Sequence, residues 1–191
     1  MNREVITYHL EMKSRAELRA PALPCVGFEV RRVTVPCPEL NRFFYTAVGG
    51  DWFWIDRLGW SYQEWLRYVS RPEIETWIGL ADGAPAGYFE LDAQPERNVE
   101  IAYFGILPQY IGKGYGGALL YRAAERGWKL GASRVWVHTC SLDHPSALAS
   151  YQRRGFKIFK EERAWKELPE HTPGPWPGAG TSREMPPGSL G

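Results

Sequence analysis

The chain has 191 residues, 44% of them hydrophobic and 14% aromatic, including nine Trp. That supplies a core and a ligand pocket for one domain, with little length left for a second. Lys and Arg (23) nearly cancel Asp and Glu (22) to a formal net charge of +1, and no basic stripe stands out, which argues against nucleic acid as a partner. No apolar run is long enough to span a bilayer and no charged-then-apolar leader opens the chain, so a cytoplasmic protein with no membrane partner is expected. Cys25, Cys37 and Cys140 are irregularly spaced, which fits reduced thiols better than a disulfide framework.

Taken in order, residues 3–13 and 28–35 read as strands joined by a connection holding Pro21 and Pro24. Pro38 opens a helix expected to run through Ala47, with Gly49 and Gly50 ending it. Ser61-Tyr62-Gln63-Glu64 is a capping-box signature for a short helix that Ser70-Arg71-Pro72 terminates. Residues 76–81 and 86–91 form a hairpin around Asp82-Gly83. Residues 99–106, rich in β-branched and aromatic side chains, make a strand closed by Pro108. After Gly114 the apolar period becomes helical (Leu120, Ala123, Ala124, Gly127, Trp128), with Gly131 placed as a C-terminal stop. A strand over 134–139, a helix over 146–153 and a strand from Phe156 complete an α/β arrangement. The chain is expected to form a single domain over 1–168, the first strand being an N-terminal extension. Residues 169–191, rich in Pro and Gly, read as a mobile tail.

Between the central strand and its helix lies Gly112-Lys113-Gly114-Tyr115-Gly116-Gly117. Glycines let the backbone approach a ligand closely, and a helix start offers unpaired N–H groups and a positive dipole end, so an anionic group, above all a phosphate or pyrophosphate, is expected there. A P-loop would need glycine where Leu107 stands and Ser or Thr where Gly114 stands. A dinucleotide fingerprint is formally present as Gly112, Gly114 and Gly117. However, residues 108–111 separate it from the strand, and no acidic residue follows at the required distance.

This segment resembles the acyl-CoA loop of the GNAT superfamily of N-acetyltransferases, with Gly114 and Gly116 as the loop glycines and Ile111 where a polar residue is usual. A second block, His144 to Phe156, resembles the family's later Asn-x-x-Ala-x-x-x-Tyr-x-x-x-Gly-Phe motif: Ala147, Tyr151, Gly155 and Phe156 match, and His144 replaces Asn. The two blocks stand in the family's order and at its usual separation, and the resemblance covers roughly residues 28–165. It implies an α/β fold with a mixed central sheet, a splayed strand pair and flanking helices. The implied activity is transfer of an acetyl group from acetyl-CoA to a primary amine by direct attack in a ternary complex. A non-catalytic acyl-CoA sensor is the alternative from another class, and a dinucleotide-binding protein a weaker one.

Such transfer needs a neutral amine, a stabilised oxyanion and a proton for the departing thiolate. Alkyl amines have pKa values near 10, so a base has work to do. The resemblance places Glu100 at the catalytic glutamate's position; an exposed strand carboxylate is the plain alternative. Glu90, on the neighbouring strand, is the second candidate. Tyr151 matches the tyrosine that protonates the thiolate, against the plainer reading of a core tyrosine. The resemblance implies an oxyanion N–H near Phe104 or Gly105, at a strand bulge, with Ile106 meeting pantetheine. Ile111 to Gly117, Lys113 and Tyr115 included, would cradle the pyrophosphate, and His144 would hydrogen-bond CoA. Trp52, Trp54, Asp56 and Trp60, with Glu90, would wall a cationic or aromatic amine; a core contact or a homodimer interface is at least as economical. His138-x-Cys140-x-x-Asp143-His144 fits no common zinc spacing, so no metal is expected and a strand end followed by a turn is the simpler account.

Overall fold

Two periodicities sort the chain into layers. The structure, a computed structural model describing residues 1–22 and 25–175, has strands β1 (Asn2–Met12), β2 (Phe28–Val33), β3 (Ile74–Ala81), β4 (Ala84–Gln94), β5 (Asn98–Ile106), β6 (Arg134–Cys140) and β7 (Lys157–Glu167). The helices are α1 (Pro38–Gly49), α2 (Tyr62–Val69), α3 (Tyr115–Lys129) and α4 (Ala147–Arg153). The strands form one seven-stranded sheet in the order β2-β3-β4-β5-β6-β1-β7. Only β5 and β6 run parallel; the other neighbours are antiparallel. The mixed α/β sheet with flanking helices is the expected fold.

Alternation puts Phe89 and Leu91 of β4, Val99 and Ile101 of β5, and Val135 and Val137 of β6 on one face. There they meet Leu119, Leu120, Ala123 and Ala124 of α3 in the main core. Each large apolar side chain so buried stabilises the fold by about 1.5–3 kcal/mol. At Gly127 an added Cβ would lie 2.9 Å from Val135 Cγ2, so glycine lets α3 sit this close to β6. A smaller cluster (Phe44, Val48, Tyr88, Leu107) joins α1 to the opposite face.

Local signals behave as their chemistry requires. Ser61 and Glu64 form the reciprocal capping box, and Gly131 follows α3 at φ 81°. Asp82 (φ 48°) and Gly83 (φ 82°) turn the β3–β4 hairpin in the left-handed region. Helix α1 continues to Gly49, past Ala47.

The first strand, expected as an N-terminal extension, lies between β6 and β7, pairing Thr7–Met12 with Cys140–Val135 and Asn2 with Glu167. Val5, Leu10 and Met12 are buried there. Local periodicity marks a strand but carries no information about its partners. The expected mobile tail falls mostly on 176–191, outside the described residues. Of its described part, Gly174 N–H donates to Gly50 O at 2.9 Å, seating that segment on the end of α1.

Two irregularities prepare the site. Strands β5 and β6 pair only from Asn98–Glu100 to Arg134–Trp136, then diverge, which is the expected splay. Along β4, Glu90 faces Tyr103 while Leu91 faces Ile101, so Ala102 is an extra residue. The bulge therefore lies at Ala102, ahead of Phe104 and Gly105, near which it was expected. Among the described residues no helix is long and apolar enough to cross a membrane.

Candidate active site

A cleft of roughly 790 Å³ opens where β5 and β6 part, running from the start of α3 past α4 to the end of β7. Its first wall is backbone. Gly112 (φ 86°) and Gly114 (φ 84°) adopt a conformation that side chains disfavour. A Cβ on Gly112 would meet nothing within 4 Å, and one on Gly114 only Cys25 Sγ at 3.7 Å. Gly114 is the N-cap of α3, with no side-chain capping bond. Gly112, Gly114, Gly116 and Gly117 all line the cleft, so glycines bring no side chain of their own to the uncapped first turn. Arg153 lines the same end, and Arg154 Nη2 lies 3.1 Å from where a Gly117 Cβ would stand. This arrangement fits an anionic ligand such as the pyrophosphate of acetyl-CoA. Ile111 also lines the cleft. Lys113 and Tyr115 do not: Lys113 Nζ lies 5.7 Å from the Tyr110 ring, and Tyr115 stacks on Phe28 at 4.8 Å.

The second wall is the parted edge of β5. Leu107 N–H donates to Ala86 O of β4 at 2.8 Å. By strand alternation the N–H groups of Phe104 and Ile106 then point away from β4 into the opening, whereas that of Gly105 points back. Gly105 has a different reason to be glycine: a Cβ there would lie 2.2 Å from Val48 Cγ1 of α1.

Tyr151 of α4 lines the cleft beside Phe104 (ring centroids 6.0 Å) and is 6% exposed. Burial first, then the Asp143 carboxylate, pushes its phenol far above the usual range, so the hydroxyl keeps its proton at neutral pH. Asp143 accepts from Thr139 Oγ1 at 2.7 Å, Cys140 N–H at 2.8 Å and Trp54 Nε1 at 3.4 Å, tying the end of β6 to the tryptophan-rich loop. His144 Nδ1 accepts from Ser146 N–H at 3.1 Å and its ring meets Trp52 at 5.1 Å, at the cleft rim. Burial raises the Cys140 thiol above its ordinary value, which disfavours the thiolate. Among the described residues no three His, Cys, Asp or Glu side chains gather as metal ligands.

The acceptor-side residues divide. Trp52, Trp54 and Asp56 line the cleft; Trp60 and Glu90 stand behind it. Trp60 packs edge-on to Trp65 at 5.1 Å and under the Arg57 guanidinium at 4.6 Å. Glu90 is fully buried, accepting from Asn41 Nδ2 at 2.7 Å, Tyr68 Oη at 2.8 Å and Arg57 Nη1 at 3.1 Å. The Arg57 guanidinium lies between the rings of Tyr68 (3.9 Å) and Tyr103 (4.1 Å).

Glu100 sits at the crotch of the splay, outside the cleft lining. Its carboxylate accepts from Gln94 Nε2 at 2.7 Å, and Gln94 Oε1 in turn accepts from Trp136 Nε1 at 3.0 Å. Beside it, His138 Nδ1 lies 3.4 Å from Glu100 Oε1, and His138 does line the cleft. Sequence reasoning met His138 only as part of a failed metal pattern. The alternation of β6, with Val135 and Val137 inward, was the signal that puts His138 on the other face. Arg153 carried no comparable signal.

The Acetyltransferase (GNAT) family profile matches residues 37–156. An uncharacterized N-acetyltransferase of Mycobacterium bovis is 30% identical over 98 residues, 51% of this chain and 62% of that protein. One from Methanocaldococcus jannaschii is 26% identical over 139 residues, 68% of this chain and 59% of that protein. The chain thus spans about three fifths of these relatives' length. Among solved structures, a GCN5-related N-acetyltransferase from Sphaerobacter thermophilus superposes with TM-score 0.62 at 18% identity, covering 86% of this chain and 53% of that one. One from Kribbella flavida gives 0.60 at 18% identity, with 82% and 55% covered; at such identity the likeness is one of fold. With the profile spanning most of the chain, the protein belongs to the GNAT family of acetyltransferases.

Proposed function

We propose that this protein transfers an acetyl group from acetyl-CoA to a primary amine by direct attack within the cleft. The observation that carries the reading is the meeting of an uncapped, glycine-flanked helix start and the Tyr151 hydroxyl in one cleft beside parted strands. When bound, acetyl-CoA supplies an already activated thioester, so no covalent enzyme intermediate is required. Gly112, Gly114 and the first turn of α3 hold its pyrophosphate, with Arg153 near its phosphates. The outward N–H groups of β5 hold pantetheine at Ile106 and receive developing oxyanion charge at Phe104. Tyr151 keeps its proton until a sulfur anion is there to take it. Trp52, Trp54 and Asp56 attract a cationic amine through ring faces and charge, and the amine's proton leaves on the Glu100 side of the splay.

Thiol release from acetyl-CoA over a panel of amines tests this. Release with at least one amine is expected, and Tyr151→Phe should lower it by roughly a hundredfold with acetyl-CoA affinity retained. Acetyl-CoA binding without release from any amine would instead support a sensor.

A further inference from the structure

Within the proposed acetyl transfer, the group in the cleft that can receive the amine's proton is an imidazole. Glu100 does not line the cleft, and its two oxygens already face Gln94 and His138. Glu90 is sealed under α1 and α2 with three donors on its carboxylate. His138, just past the last β5–β6 pair, projects where the strands part. Its Nδ1 faces Glu100, and its Nε2 makes no hydrogen bond among the described residues. The carboxylate is itself fixed by Gln94, and Gln94 by Trp136, so hydrogen bonds hold in place the carboxylate that the ring faces at 3.4 Å.

We infer that His138 is the proton acceptor of the transfer and that Glu100 is its positioning residue, holding the Nδ1–H tautomer so that the Nε2 lone pair meets the amine. This assignment rests on the acetyl-transfer reading. His138 Nε2 first takes the ammonium proton and passes it to solvent, which frees the nitrogen lone pair. The nitrogen then bonds to the acyl carbon as the carbon–sulfur bond breaks. The nitrogen's second proton passes to His138 Nε2, and Tyr151 gives its own to the sulfur. Reprotonation of Tyr151 by the proton that His138 then releases restores the enzyme, so two protons leave the nitrogen, one ends on the sulfur and one in solvent per turnover.

The surroundings are consistent with that task. The groups facing His138 are Glu100 from β5, His9 from β1 (ring centroids 6.0 Å), Asp143 after β6 and Lys166 from β7. His9 is itself committed, its Nε2 lying 2.7 Å from Glu162 Oε2. Glu100 above all raises the His138 pKa; burial opposes it, Asp143 adds to the rise and Lys166 subtracts. A raised value makes the ring a better acceptor, provided the pH lies high enough to leave it neutral.

The test has an arm in the free protein and an arm in turnover. Imidazole resonances of the full chain, assigned to His138 by their loss in His138→Asn, should titrate at lower pH in Glu100→Gln than in wild type. Saturating turnover should fall roughly a hundredfold in His138→Asn and in His138→Gln, with acetyl-CoA affinity and thermal midpoint near wild type. An unmoved titration in Glu100→Gln overturns the coupling. Wild-type turnover in either folded His138 variant overturns the acceptor role while leaving acetyl transfer in place. A wild-type protein that releases no thiol from any amine overturns the acetyl-transfer reading, and this assignment with it.

Discussion

Glu90 and Glu100 lie on adjacent strands and on the same side of the sheet, yet their surroundings are opposite. Asn41 of α1, Tyr68 of α2 and Arg57 of the segment between them each donate to Glu90 and cover it. Glu100 lies beyond those helices, where β5 loses its partner, with one donor from Gln94 and one imidazole. Sequence offers two similar carboxylates; packing turns one into a structural counter-ion and leaves the other beside the cleft. An uncovered carboxylate can act on its neighbours' titration. A covered one must keep its charge compensated.

The sharpest way to break this contrast is at Arg57. Arg57→Ala leaves Glu90 buried without its cation and opens space between Tyr68 and Tyr103. A loss of about 3–5 kcal/mol in denaturant unfolding is expected. A loss below about 1 kcal/mol, the scale of an exposed pair, would show that the two carboxylates are not so different. Next comes Glu100→Gln, which keeps size and removes charge at a site where few groups depend on it. Turnover should drop roughly a hundredfold, while unfolding free energy changes by less than about 1 kcal/mol. If stability falls as far as in Arg57→Ala, Glu100 belongs with Glu90. The smallest expected effect lies at the far end of the cleft, in Gly114→Val. A branched side chain at φ 84° in front of the helix start should weaken acetyl-CoA binding roughly tenfold, about 1.4 kcal/mol. Unchanged affinity by calorimetry would remove the cradle from the ligand's path.

How much of this was readable beforehand depends on how local each signal is. The cradle was legible because glycine identity and a change of apolar period are written within a short stretch, from Gly112 to Gly131. The capping box at Ser61 and the Asp82-Gly83 turn were legible for the same reason. The acceptor side was not. Whether Trp60 lines a cleft or backs it depends on Arg57, which turns inward only because Glu90 of a distant strand attracts it. Sequence left Phe104 and Gly105 as alternatives, because only alternation past the Ala102 bulge decides which of the two N–H groups turns into the opening. His138 acquires a partner in Glu100 because β5 and β6 run side by side for three residue pairs, and no local pattern announces that pairing.

The position of β1 also bears on how the protein is made. Its residues are made before their sheet partners, Val135–Cys140 and Lys157–Glu167. The nascent chain must therefore carry an unpaired strand, Val5, Leu10 and Met12 with it, until those partners are made. Pairing between such distant segments is slow because a long loop has to close before any contact compensates for it. The β3–β5 meander, joined by short turns, can assemble while β1 waits. During that interval the growing chain presents an apolar strand to chaperones and to other nascent chains.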